Sequence, residues 1–478
     1  MGLLTKDQKW SQLLTISLFT FLLTFSNCLQ EIDSFNLLSN LNYLNSIYSN
    51  LIPNDEDFKI TNHEENAPPS NKRYRGPFRK MFHDEDLNVP YTEGVDPGEP
   101  LFLTPLLEAG KTEEAQKLSK VRLGHRYGHS FSGFFTVNKK YNSNLFFWFF
   151  PARTNAATAP VVVWLQGGPG GSSLFGLFAE NGPFYVNEEQ HLLHRNYSWN
   201  YELNVLYIDN PVGTGFSFTD REEGYARNEA DVGRDLYSAL TQFYQLFPEL
   251  DNNDLYITGE SYAGKYVPAI TYTIHKNNPT AIKKMNLKGM AIGDGLCDPI
   301  SMTDYGDFLY QLGLLDQHGR TYFKEQGQLV INYIQNKEWT KAFKVFDTLL
   351  NGDTIGSKSY FYNVTGLSNY YNFLLQEEPK ILKANNYKVL IYNGQLDIII
   401  ASPLTDNFIN GLDFQYSDLL KNATRHIWRV DGEVAGYVRE VPNFAQVLIR
   451  DAGHMVPYDQ PKWAYKMITR FTLGKRII

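Results

Sequence analysis

An α/β fold with a central, mostly parallel twisted sheet, helices on both faces and an inserted helical lid is what this 478-residue sequence predicts. Three observations carry that expectation. Short continuous apolar runs, Pro160 to Leu165, Val205 to Ile208 and Leu255 to Thr258, end in Gly-rich or Asn/Pro-rich turns, as strands buried on both faces do. A helical pattern, Val232, Leu236, Ala239, Leu240, Phe243 and Phe247, leads directly into the last of these runs, the kind of connection a parallel sheet requires. A strand followed by Gly259-Glu260-Ser261-Tyr262-Ala263-Gly264 and then a helical stretch is the third observation.

Taken in order, the chain starts with Lys6 and Lys9 ahead of an uncharged run from Leu13 to Phe25 and the small residues Ser26-Asn27-Cys28. This predicts a secretory signal peptide over 1–28, since the run falls short of the roughly 20 apolar residues that cross a bilayer. Residues 29–97 are Leu/Asn-rich to Leu51 and then polar, which predicts a poorly ordered extension or propeptide; Lys72-Arg73 and Arg79-Lys80 are dibasic pairs within it. A single domain is expected from 98 to 478. Its first hairpin is read in Phe131 to Val137 and Leu145 to Phe150, around the turn residues 138–142. From about 302 to 380 the periodicity is helical, as in Trp339, Ala342, Phe343, Phe346 and Leu350, and no comparable strand interrupts it, so this stretch is the inserted lid. Two strands then return, Tyr387 to Tyr392 and Ala445 to Ile449, and a helix with Trp463, Met467 and Phe471 on one face closes the chain.

Composition narrows the function. A content of 43% hydrophobic and 20% charged residues suits a globular body, and a net charge of −8 argues against a phosphate-neutralising surface, hence against nucleic acid as partner. The cysteines are Cys28 and Cys297; cleavage after Cys28 leaves one thiol and no intrachain disulfide. Sequons at Asn196, Asn363 and Asn422 predict glycosylated surface positions. No later stretch spans a membrane, and the carboxyl end lacks a lumenal retention tetrapeptide, so the expected destination is secretion or an acidic vesicle such as a lysosome.

The chemistry is concentrated in a few turns. Ser261 stands where a nucleophile elbow places its hydroxyl, with small residues at 259 and 263 to let strand and helix approach, and with the Tyr262 amide able to face a developing oxyanion. Ala263 takes the place of the second glycine of that pattern. Asp397 and His454 each follow a strand, so all three side chains are expected at the carboxyl ends of sheet strands. The order Ser, Asp, His is that of the α/β-hydrolases. In that arrangement His454 takes the proton of Ser261, Asp397 orients the ring, and no metal or cofactor is required. The turn Gln166-Gly167-Gly168-Pro169-Gly170-Gly171-Ser172-Ser173 reads as the oxyanion loop with Gly168 as second donor. A phosphate loop is the competing reading, but a Gly-Lys-Ser/Thr ending is absent and Pro169 removes an amide.

These turns, with Trp164-Leu165 before the glycines, Gly453-His454-Met455-Val456-Pro457 and Asn210-Pro211-Val212-Gly213-Thr214-Gly215-Phe216, together resemble the serine carboxypeptidases, nearest to their vitellogenic-like and venom branch. The resemblance runs from about 100 to 475. It implies removal of C-terminal residues from peptides, with the substrate carboxylate held by Gln166, Gly167, Glu180 and Glu260; Gln166 stands where family members usually have Asn. Two carboxyls beside a carboxylate ligand must keep one proton, so an acidic optimum is expected. The resemblance also admits a homodimer. It exposes one gap: only Pro379 to Asn386 separate Glu378 from Tyr387, where relatives carry several dozen more residues. Two other readings follow: an esterase or acyltransferase using the same triad, and a secreted binding or storage homologue that has lost turnover through the shortened segment.

Overall fold

In a computed structural model, residues 99–478 are described except for 124–128, 188, 190 and 352–386, and eleven strands form one sheet. Two short helices, α1 (Thr104–Glu108) and α2 (Thr112–Ser119), precede β1 (Lys120–Arg122), β2 (His129–Asn138) and β3 (Ser143–Phe150). β4 (Val161–Leu165), a small separate hairpin of β5 (Phe184–Val186) and β6 (Leu192–His194), and β7 (Asn204–Ile208) follow. Next come α3 (Glu229–Leu246), β8 (Leu255–Glu260), α4 (Ala263–Asn277) and β9 (Leu287–Gly293). The helical insertion contributes α5 (Gly306–Gln311), α6 (Gln317–Gln335) and α7 (Trp339–Asn351). The chain then returns through β10 (Lys388–Gly394), α8 (Ser402–Gly411), α9 (Ser417–Lys421), β11 (His426–Val430), β12 (Glu433–Val441), β13 (Phe444–Ile449) and α10 (Pro461–Thr472).

The sheet order is β1-β2-β3-β7-β4-β8-β9-β10-β13-β12-β11. Every pairing from β7 to β13 along that order is parallel, and antiparallel strands close both edges. The parallel strands are mostly apolar because both faces are covered. Alternate residues of β4 show how: Val161, Val163 and Leu165 join a core with Val232, Leu236, Ala239 and Phe243 of α3, while Val162 and Trp164 join the opposite core with Trp463, Met467 and Phe471 of α10. α3 starts where the Asn228 side chain accepts the Asp231 amide, with Glu229 and Asp231 in a first turn that favours negative charge.

The expected hairpin is β2–β3, paired Phe131 to Phe149, and the strands expected over 160–165, 205–208, 255–258, 387–392 and 445–449 are present as β4, β7, β8, β10 and β13. One expectation is corrected: four strands, not two, follow the insertion, because β11 and β12 form an antiparallel edge on β13. β9 also went unread, since Gly289 and Gly293 break its apolar run. The described part of the insertion, α5 to α7, is helical; its small core is Val330, Ile334 and Ala342, and Phe308, Phe323 and Phe343 pack back onto the main core. Cys297 is buried with a free thiol. Among the described residues no helix is long and apolar enough to cross a membrane. The expected signal peptide, the extension 29–97, the Asn363 sequon and the short segment before Tyr387 lie outside the described residues.

Candidate active site

β8 ends at Glu260, and Ser261 occupies the turn before α4 with φ of +64°, in the left-handed region. That conformation strains a residue with a Cβ, and it is held by three backbone bonds. Ser261 N–H donates to the Gly293 carbonyl at 3.0 Å, and the Ser261 carbonyl accepts from Gly264 (2.9 Å) and Leu296 (3.0 Å). Ser261 is half-buried, Tyr262 buried, and α4 begins at Ala263, so its amino terminus lies beside the serine. The glycine-rich turn after β4 lies against this elbow, because β4 and β8 are neighbours in register Leu165 to Gly259. A Cβ on Gly167 would run into the Tyr262 amide nitrogen and the Ser261 Cβ, so only glycine admits this approach. The loop is closed by Gly171 N–H donating to the Gly167 carbonyl at 2.8 Å.

Asp397 and His454 arrive from the two strands beyond β9. Asp397 lies three residues past the end of β10 and His454 five past the end of β13, and these strands pair Gly394 to Ile449. The two loops are laced together: Leu396 N–H donates to the Ala452 carbonyl at 2.8 Å, and a Cβ on Gly394 would enter the Gly453 carbonyl. His454 Nδ1 meets Asp397 Oδ2 at 2.8 Å, with the acid's side chain fully buried and the ring 20% exposed. The other acid oxygen, Oδ1, accepts from Ile399 N–H (2.8 Å) and Ile400 N–H (3.1 Å). Burial works to raise the Asp397 carboxyl, but attraction to His454 and these bonds outweigh it and hold it below the usual carboxylate range. For His454 burial works to lower the ring, yet the Asp397 charge and hydrogen bond win and raise it.

Beside the elbow, Gln166, Glu180 and Glu260 form a buried cluster. Gln166 Nε2 donates to Glu180 Oε1 (3.1 Å) and Glu260 Oε1 (3.2 Å), while its Oε1 accepts from Trp164 Nε1 at 3.0 Å. Tethered by the indole, the longer amide of Gln166 reaches both carboxyls. Among the described residues no amide, hydroxyl or cation reaches the second oxygens, Glu180 Oε2 and Glu260 Oε2. Burial pushes Glu260 well up, and the neighbouring Glu180 charge adds to this. Burial raises Glu180 as well, opposed by the hydrogen bonds from Glu260 and Gln166. Burial and mutual repulsion of two such carboxyls both favour retention of a proton in the pair.

Three supporting residues escaped sequence reasoning. Asp209, buried after β7, accepts from Ser172 Oγ (2.6 Å), Ser173 N–H (3.0 Å) and Phe216 N–H (2.9 Å), and so fixes the far end of the glycine turn. Tyr305, at the root of the insertion, donates its hydroxyl to the Ile399 carbonyl at 2.8 Å and ties the insertion to the Asp397 loop. Asp294, just past β9, accepts the Gly394 N–H at 2.8 Å. Only Asp209 carried a signal, in that it immediately precedes the Asn210-Pro211 turn.

Of the expected sugar sites, Asn422 is exposed and Asn196 half-buried.

Comparison with known proteins bears on the same residues. The family model described as serine carboxypeptidase, peptidase S10, matches residues 124–378 and 358–474. The probable serine carboxypeptidase CPVL of Homo sapiens is 49% identical over 454 residues, covering 84% of this chain and 95% of its own. The venom serine carboxypeptidase of Apis mellifera is 49% identical over 447 residues (83% and 93%), and the vitellogenic carboxypeptidase of Aedes aegypti 46% over 429 (78% and 90%). Among solved structures, that of Kex1(delta)p, a prohormone-processing carboxypeptidase from Saccharomyces cerevisiae, superimposes with a TM-score of 0.61 at 22% identity, over 72% of this chain and 91% of that one, a likeness of fold. This chain belongs to the serine carboxypeptidase family.

Proposed function

We propose that the chain removes C-terminal residues from peptides through an acyl-enzyme formed on Ser261. The Ser261 hydroxyl attacks the last peptide carbonyl and passes its proton to Nε2 of His454, the nitrogen left free by the Nδ1 contact with Asp397. The N–H groups of Gly168 and Tyr262 receive the oxyanion. His454 then protonates the departing amine, and water releases the shortened peptide by the same proton path in reverse. Gln166, Gly167, Glu180 and Glu260 hold the terminal carboxylate.

The observation that carries this reading is the buried carboxyl pair adjoining the nucleophile: a protonated Glu260 can donate to an incoming carboxylate, whereas an esterase has no use for it. The test compares a peptide acid with its C-terminal amide. Release from the acid is expected to exceed release from the amide by about two orders of magnitude, the scale of an unpaired buried charge-assisted bond; equal rates would favour the esterase-like reading. The carboxyl pair also fixes the pH dependence. Glu260 is raised, so it is neutral at acidic pH and ionises as pH rises, when it repels the substrate carboxylate. KM for peptide acids is therefore expected to climb with pH, and a KM that falls from acidic to alkaline pH contradicts the assignment.

The set Asp397–His454 contact supports an active enzyme over an inactive storage homologue. Passage through the secretory pathway, with removal of 1–28 and glycans at Asn196, Asn363 and Asn422, completes the proposal; glycosidase-sensitive mass on the secreted protein is its check.

A further inference from the structure

Beside the Asp397 carboxyl lies a second aspartate that the proton relay does not use. Asp294 follows β9 with its side chain fully buried, close to the Asp397 carboxyl. One ligating atom each of Asp294, Asp397 and His454 lie within 4.8 Å of one another. Asp294 Oδ1 accepts the Gly394 N–H, and among the described residues no amide, hydroxyl or cation reaches Oδ2. Two carboxylates in contact inside a protein cannot both be ionised. Asp397 already has donors on both oxygens, from Ile399, Ile400 and His454, so it is the one that keeps the charge. The proton belongs on Asp294, which then turns from an acceptor lacking a donor into a donor with an acceptor.

We infer that Asp294 is a positioning residue for this site: its protonated carboxyl donates a hydrogen bond to Asp397 and holds that acid in line with His454. The inference rests on the triad assigned above. The Gly394 amide anchors one end of Asp294 to the strand that launches the acid loop, and the donated bond anchors the other end to the loop itself. Burial first, then the Asp397 charge, disfavour ionisation of Asp294, with Glu180 acting in the same direction. Glu260 and the Tyr392 hydroxyl respond in turn to a charge on Asp294. His454, in the same group, is the one neighbour that favours a charge on Asp294 when protonated, and it is already paired with Asp397; the other groups named are acidic, so the cluster favours a neutral Asp294.

The experiment measures the rate at which a neutral fluorophosphonate labels the full-length chain, against pH, for the wild type, Asp294→Asn and Asp294→Ala, alongside kcat and KM for a peptide acid. Asparagine offers the same donor without the charge. It is expected to stay within about threefold of wild type, whereas alanine is expected to lose about 10- to 100-fold in labelling rate and kcat with KM little changed, the scale of a misplaced catalytic group. Without its donor Asp397 takes up a proton more readily, so the acid limb of labelling should move to higher pH in Asp294→Ala and stay in place in Asp294→Asn. Wild-type rate and an unmoved acid limb in folded Asp294→Ala overturn the inference, and so does Asp294→Asn falling as far as alanine. If the alanine variant does not fold, infrared difference spectra near neutral pH decide: wild type should show a protonated-carboxyl stretch that Asp294→Asn lacks, and its absence in wild type overturns the inference. Wild-type protein that labels but cleaves no peptide acid defeats the proposed carboxypeptidase activity and leaves this comparison intact.

Discussion

At Glu260 one proton decides whether the site attracts or repels a carboxylate. Glu260→Gln keeps a donor of similar length but cannot ionise. Its KM for a peptide acid should therefore be nearly independent of pH, where wild-type KM rises; parallel KM profiles for the two proteins would remove Glu260 from substrate binding. Ser261 makes a different demand. Its φ of +64° costs about 1 to 2 kcal/mol and is retained because three backbone bonds impose it. Ser261→Gly should relieve that strain and stabilise the fold while abolishing turnover, a pairing that thermal melts and peptide assays on one preparation would read. Residues such as Asp294 are invisible at this scale in the sequence, since the partner that gives it meaning, Gly394, lies 100 positions away.

Among the elements, the acid and histidine loops approach closely at Gly394 and Gly453. Gly394→Ala has to push these loops apart, so it should destabilise the fold by about 1 to 3 kcal/mol, an overpacking cost, and lower kcat more than it raises KM. Unchanged kcat in a folded Gly394→Ala protein would mean the two loops need not touch for the site to work. The elements that were legible in sequence share a physical cause. β4, β7, β8, β10 and β13 are buried on both faces and so appear as predominantly apolar runs, and α3 buries one stripe and so shows a helical period. Those that were missed lack these signatures: β11 exposes three of its five residues at the sheet edge, and β12 carries charges and an internal glycine. Ser261, Asp397 and His454 could be found because each follows a readable strand. Tyr305 acts through a backbone contact that no spacing encodes.

For the whole molecule the buried acids set the pH at which the fold is happiest. Burial raises Glu229 to about 8 and Asp235 to about 6, and it raises Glu180, Glu260 and Asp294 as well. Unfolded carboxyls titrate near about 4, so between that pH and the raised values the folded chain binds more protons than the unfolded one. Stability accordingly falls as pH climbs through this window. His454 is raised too, and its contribution is likewise lost as pH rises; Asp397 is lowered, and its contribution is lost only on acidification. Melting temperature should decline from mildly acidic to mildly alkaline pH, and Glu229→Gln should flatten the upper part of the decline; a melting temperature that rises over that range would contradict these assignments. All of this presupposes one sheet whose carboxyl edge gathers β4, β8, β10 and β13, so the most direct test is of that convergence. Fluorophosphonate treatment of the purified chain followed by peptide mapping should find one adduct, on Ser261, that disappears in Ser261→Ala and forms far more slowly in His454→Ala. A folded protein that takes no label, or takes it at another residue, would contradict the site described here.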